Sequence, residues 1–181
     1  EGNPADVFYD IEVGTKGAIF PVKSGITIDN LCIKYAGGHA VNGADAQNVT
    51  LTNCEIGWVG GSLQMGASSS VVYGNAFEIW GCAKNVTAKN NYMYQSLDST
   101  VTFQYQGSHG HTVEINNLKF NDNLIEYGNC GIEYWIGEDN CKGLIKNTTF
   151  DGNIIRDTSY GQGGNSYSSS GGIDCIICPH M

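Results

Sequence analysis

The chain has a single arginine, Arg156, and its nine basic residues face 18 acidic ones among 181. A surface that tracks nucleic-acid phosphates needs clustered Lys and Arg, so nucleic acid is excluded as a partner. The formal net charge of -9 also repels an acidic polymer such as pectate unless a metal ion bridges the two. No run of about 18 apolar residues occurs, so no segment reads as a membrane-spanning helix and no membrane partner is expected. Heptads and long amphipathic helical stretches are missing as well. Proline is scarce, at 3 residues. Neither a signal-peptide pattern nor an initiator Met is present, so the chain reads as processed or excised.

Glycine, by contrast, is abundant at 25 residues, together with Asn, Ser and Thr. That composition suits many short strands joined by tight turns. The length fits one domain with a sizeable core. Seven cysteines (Cys32, Cys54, Cys82, Cys130, Cys141, Cys175 and Cys178) are an odd number, so at least one is free or pairs between chains. Several stand at apolar strand positions, where a thiol acts as a small hydrophobe.

Self-similarity organises the sequence. Five segments superimpose, beginning at Ile28, Leu51, Ala88, Phe120 and Phe150, and each has a second apolar residue five positions on: Ile33, Ile56, Met93, Ile125 and Ile155. Between these columns Asn91, Asn123 and Asn153 align in three consecutive repeats. Amides spaced one strand apart hydrogen-bond to one another in a ladder and satisfy a turn. The repeat starts are separated by 23, 37, 32 and 30 residues (28 to 51, 88, 120 and 150), a short common unit with loops of varied length. Such a unit buries its apolar face only by stacking on its neighbours.

The recurring Asn-Val-Thr-apolar-x-Asn pattern, from Asn48 to Asn53 and from Asn85 to Asn90, resembles right-handed parallel β-helix proteins of the pectate-lyase-like superfold. The resemblance covers roughly residues 26–178 and implies an all-β solenoid of about five to six coils. Residues 1–25 are expected to be a lead-in segment or partial first coil, and 26–181 the coils, with loops at 57–73, 105–113 and 136–143. The repeat is already running near Ile26, and Gly171-Gly-Ile-Asp174 begins another strand near the end. Open coils expose strand edges, so a fragment, or a homo-oligomer that covers the open ends, is expected. The superfold hosts lyases, hydrolases, adhesins and binding modules, so the activity must be argued from side chains.

A second strand set carries candidate chemistry. His39-Ala-Val-Asn42, Asn75-Ala-Phe-Glu78, Ser99-Thr-Val-Thr102, Cys130-Gly-Ile-Glu133 and Gly171-Gly-Ile-Asp174 align. Their third position is apolar and points inward, so the fourth points outward: Asn42, Glu78, Thr102, Glu133 and Asp174. Two positions on, the same face presents Trp80, Gln104 and Trp135. Parallel strands stack about 4.8 Å apart, placing Glu78 and Glu133 two coils, roughly 9–10 Å, apart and Glu133 and Asp174 roughly 5 Å apart. Inverting glycosidases hold two carboxyls about 6.5–9.5 Å apart and retaining ones about 5–5.5 Å, so both stereochemistries stay open. Asp98, just before the third strand, is a further acid/base candidate. Tryptophan faces give platforms for sugar rings, with Tyr105, His109 and His111 in a loop wall beside them. Taken singly, each outward carboxylate reads equally as solvated surface.

Other signals are weaker. Cys175-Ile-Ile-Cys178-Pro-His180 is half of a zinc pattern without its second half, and His109-Gly-His111 has metal-like spacing without a third ligand. The acceptor triplets at Asn48, Asn85 and Asn147 read as products of the repeat. Glu138 and Asp139 are a weak calcium pair, and no cofactor is otherwise expected.

The reading that follows is a secreted, extracellular glycoside hydrolase acting on a plant cell-wall polysaccharide such as a β-glucan, cellulose or xylan. Glu78, Glu133, Asp174 and Asp98 are the catalytic candidates, and Trp80, Trp135, Gln104, Thr102, Asn42 and Tyr105 would hold the sugar. The alternatives are a non-catalytic carbohydrate-binding solenoid and a polysaccharide lyase. Pectate-lyase-like enzymes typically use a calcium-binding acidic cluster and an Arg or Lys base, whereas this outward column carries no lysine and Arg156 lies on the other strand set. Polygalacturonases of the superfold carry paired-Asp, Gly-His-Gly and Arg-x-Lys motifs, and here only Gly38-His39-Ala40 is present.

Overall fold

Period-two alternation of apolar and polar residues turns the chain into short strands, and the turn residues between them decide which sheet each strand joins. A computed structural model describes residues 17–62, 72–105, 110–136 and 141–158, and the backbone of 177–180. Among the described residues there is no helix. One sheet contains β1 (Phe20–Val22), β4 (Val41–Ala44), β7 (Phe77–Trp80), β10 (Ser99–Tyr105), β13 (Cys130–Ile136) and β17 (Ile177–His180), in that order. A second contains β2 (Thr27–Asp29), β5 (Gln47–Thr52), β8 (Ala83–Lys89), β11 (Thr112–Asn121) and β14 (Lys142–Lys146), with β15 (Thr149–Asp151) also paired to β11. The third contains β3 (Cys32–Lys34), β6 (Glu55–Val59), β9 (Tyr92–Ser96), β12 (Leu124–Glu126) and β16 (Ile154–Arg156). Every pairing is parallel, and β1 to β14 fall to the three sheets in strict rotation.

The register reproduces the sequence columns. Ile28, Leu51, Ala88, Phe120 and Phe150 are direct partners across the second sheet. Ile33, Ile56, Met93, Ile125 and Ile155 are partners across the third. Val41, Phe77, Val101 and Ile132 are partners across the first. All but the two residues of the last repeat, Phe150 and Ile155, are buried, and they meet in one core. Phe103 is wedged there between Phe77, ring edge to face at 6.1 Å, and Tyr134, stacked at 5.6 Å. On the last rung Leu144, Ile145, Phe150 and Ile154 are exposed apolar side chains.

The corner between the second and third sheets is a left-handed residue followed by the ladder. Asn30, Asn53, Asn90, Asp122 and Gly152 all have φ between 53° and 66° there. Next to them Asn91 Nδ2 donates to Asn123 Oδ1, and Asn123 Nδ2 to Asn153 Oδ1, both at 2.9 Å. Each amide also donates to a strand carbonyl: Asn91 to Leu51, Asn123 to Ala88 and Asn153 to Phe120. Cys54 holds the same position one rung earlier, and its backbone N–H donates to Asn91 Oδ1. A second amide chain runs outside: Asn117 donates to Asn85, and Asn85 to Asn48. It explains the acceptor-like triplets at Asn48 and Asn85 as turn chemistry.

The first sheet begins earlier than residue 26, because Phe20–Val22 already pairs with Val41–Gly43. The first insertion also starts later than residue 57. Strand β6 continues to Val59, and the chain then leaves at Gly60 and returns at Gly74. A Cβ on Gly74 would lie 2.2 Å from Gly60 Cα, so only glycine lets the two ends of this insertion close so tightly.

Candidate functional site

The first sheet positions the polar column. Asn42, Glu78, Thr102 and Glu133 are direct partners on β4, β7, β10 and β13, and Ala44, Trp80, Gln104 and Trp135 form the next column on that face. This face points away from the core, yet Glu78, Thr102 and Gln104 are buried, with Glu78 only 2% exposed. The competing reading of each outward carboxylate as solvated surface therefore does not hold for Glu78.

Burial forces the polar groups to pair with one another. Glu78 Oε2 accepts from Asn42 Nδ2 at 2.8 Å, and Oε1 accepts from Gln104 Nε2 at 2.7 Å. His39 Nδ1 stands 2.9 Å from Glu78 Oε2 and 3.3 Å from the Asn75 backbone N–H. A carboxylate can only accept, so the shorter contact places the proton on Nδ1, donating to Glu78. Burial opposes the charge on Glu78, but His39, Gln104 and Asn42 together outweigh it and hold the carboxyl below its ordinary value. Glu78 is therefore an ionised, fully occupied anchor and a poor proton shuttle. Asn42 and Gln104 spend their amides on it rather than on a ligand.

The two remaining carboxyls behave differently. Glu133 is half-buried, and its Oε2 accepts from Thr102 Oγ1 at 2.9 Å. Asp98 is also half-buried, at the start of β10. Burial first, then the charge of Glu133 and more weakly that of Glu78, push Asp98 up to about 6; the Ser99 N–H and His39 pull the other way. A carboxyl whose hold on its proton is raised toward the neutral range, with a second carboxyl nearby, is an arrangement a general acid and base can use. Ring platforms flank it. Trp80 and Tyr105 lie 6.2 Å apart, Tyr105 and His111 5.9 Å, and Tyr73 stacks on His39 at 6.4 Å.

Of the catalytic candidates, then, Asp98, Glu78 and Glu133 are brought to one face. Asp174 lies outside the described residues, and the register opposite Glu133 is taken by Cys178 of β17, four residues further on. His109, Glu138, Asp139 and Cys175 also lie outside them. His39 was missed as a site residue, because it precedes β4 and period-two alternation gives it the inward parity of Val41. Among the described residues no three of His, Cys, Asp and Glu are placed to share a metal ion. Arg156 sits in the third sheet, where its guanidinium bonds Glu126. Compared with protein-family models, curated proteins and solved structures, the chain matches none.

Proposed function

We propose that the three sheets are the faces of a right-handed parallel β-helix of the pectate-lyase-like kind, and that the chain belongs to a secreted glycoside hydrolase acting on a neutral plant-type polysaccharide. Asp98 is the general acid and Glu133 the general base. What supports this is the half-buried Asp98, pushed up to about 6 first by burial and then by the charge of Glu133, beside the buried Glu78 network.

Asp98 protonates the glycosidic oxygen as the C–O bond breaks, and Glu133 takes a proton from the water that attacks the anomeric carbon. One water is consumed, one reducing end appears, and the reaction needs no cofactor. Asp98 immediately precedes β10, the strand that carries Thr102, the partner of Glu133. Glu78 acts as a positioning residue that fixes the tautomer and orientation of His39. Trp80, Trp135 and Tyr105 supply the stacking faces.

The test is turnover by Asp98→Asn and Glu133→Gln. Each should lower kcat by about 10²–10⁴-fold while polysaccharide binding persists. Undiminished turnover in either variant rejects these roles. Binding without any turnover in the parent chain would favour a non-catalytic carbohydrate-binding solenoid.

A further inference from the structure

One column of turns breaks the rule that governs the others. Left-handed backbone is easiest for Gly, Asn and Asp, and the corner after the second sheet uses only these: Asn30, Asn53, Asn90, Asp122 and Gly152. The corner after the third sheet carries Tyr35, Trp58, Gln95, Tyr127 and Asp157 at φ of 61°, 56°, 49°, 56° and 51°. A bulky aromatic residue there is a steric outlier. These rings do not compensate by disappearing into the core, since Tyr35 is 40%, Trp58 43% and Tyr127 44% exposed. Strain combined with exposure is the mark of a position kept for something other than folding.

The register sets their spacing. Lys34, Gly57, Tyr94 and Glu126 are partners across β3, β6, β9 and β12, so the residues that follow them form a row at one rung per step. At about 4.8 Å per rung the row from Tyr35 to Tyr127 is roughly 14 Å long. Each step is close to the length of one pyranose unit in an extended β-linked chain.

The row is also backed and furnished. Tyr94 lies over Gly57, where a Cβ would meet its ring at 2.4 Å, and meets the Trp58 ring edge-on at 6.4 Å. Tyr92 stacks on Tyr94 at 4.5 Å, and the Tyr94 hydroxyl donates to Glu55. A cavity of about 220 Å³ opens at the row, lined by Trp58, Val59, Gly60, Gly61, Gln95 and Leu97. Within this corner the Gln95 Oε1 is buried with no hydrogen-bond partner. A buried carbonyl oxygen without a donor is a place for a ligand hydroxyl. Leu97 is the residue before Asp98, so the row runs up to the edge of the carboxyl site.

We infer that Tyr35, Trp58, Gln95 and Tyr127 form a glycan-binding ridge, separate from the polar column, that lays a neutral β-linked polysaccharide along the stacking direction of the strands. The rings stack on sugar faces, and Gln95 accepts from a hydroxyl. The inference shares the polysaccharide reading of the proposed function but not its hydrolytic step.

The experiment is native gel electrophoresis through soluble xylan, xyloglucan, glucomannan and mixed-linkage β-glucan. The parent chain is compared with Trp58→Ala, Tyr127→Asn and Lys119→Ala, and thermal midpoints are measured alongside. Retardation of the parent chain by at least one of these polymers is expected. It should weaken about tenfold in Trp58→Ala and Tyr127→Asn and be unchanged in Lys119→Ala, an exposed residue of β11 outside both the ridge and the carboxyl site. Tyr127→Asn should keep or raise the thermal midpoint, because Asn tolerates the left-handed turn. Retardation by none of the four, or equal retardation of the ridge variants, overturns the ridge. A midpoint that falls several degrees in Tyr127→Asn also overturns it, because the ring would then be kept for packing. Retardation of the parent chain without any turnover would instead strike only the hydrolase reading.

Discussion

Asp98→Asn should stabilise the protein, and only above mildly acidic pH. In the unfolded chain the carboxyl titrates near 3.8, and in the folded chain at about 6. Because the folded value is the higher one, the folded state binds the proton more tightly. The contribution to stability is fully present below about pH 3.8 and is lost as pH rises through about 6. Ionising the folded carboxyl against burial and the charge of Glu133 costs about 3 kcal/mol, and about half that once solvent screening of a half-buried group is allowed for. An asparagine is neutral throughout and can still accept from the Ser99 N–H. Urea denaturation followed by tryptophan fluorescence should give equal stability for the two proteins near pH 3.5, and a gain of about 1.5–3 kcal/mol for Asp98→Asn at pH 8. Glu133→Gln should make Asp98 easier to ionise, so adding Asp98→Asn to it should yield a smaller gain. A difference between the single variant and the parent that does not change with pH, or a loss of stability at pH 8, would refute the account of Asp98 as a carboxyl kept protonated by its surroundings.

Further outcomes follow from the same contacts. Turnover should fall as pH rises through about 6, because Asp98 loses the proton it must donate; a rate still rising between pH 6 and 8 would contradict that role. Asn123→Ala removes the central amide of the ladder, buried and bonded to Asn91, Asn153 and Ala88, and should cost about 3–5 kcal/mol in urea denaturation, whereas less than about 1 would show the ladder to be incidental. Phe103→Ala, wedged between Phe77 and Tyr134, should cost about 3–5 kcal/mol by the same measurement.

The repeat columns were legible in the sequence because each is set by a rule obeyed over consecutive rungs. The inward columns are apolar in all five repeats, and in the last three the corner amide hydrogen-bonds to its neighbour. Thus Ile28 to Phe150, Ile33 to Ile155 and Asn91 to Asn153 fall in register as read. The face of the carboxyls was legible for the same reason, since Val41, Phe77, Val101 and Ile132 fix which way Asn42, Glu78, Thr102 and Glu133 point. Whether that face is wet or covered depends on contacts distant in sequence, which periodicity does not encode. Hence Glu78 read as a catalytic candidate, while the fold surrounds it with His39, Asn42 and Gln104. The last strand slipped for a simpler reason: the sequence offers Ile173 and Ile177 as equivalent inward residues, and the register opposite Ile132 takes Ile177. The aromatic ridge was hidden because a ring at a left-handed turn looks, in sequence, like one more strand residue.

The central claim is hydrolysis of a neutral polysaccharide, and the most direct test follows two products at once. The parent chain is incubated with xylan, xyloglucan, glucomannan and mixed-linkage β-glucan while reducing ends and the ultraviolet absorbance of unsaturated sugar ends are measured together. New reducing ends without absorbance are predicted for at least one substrate. Absorbance rising with the reducing ends would mean elimination rather than hydrolysis, and no product from any of the four would contradict the claim outright.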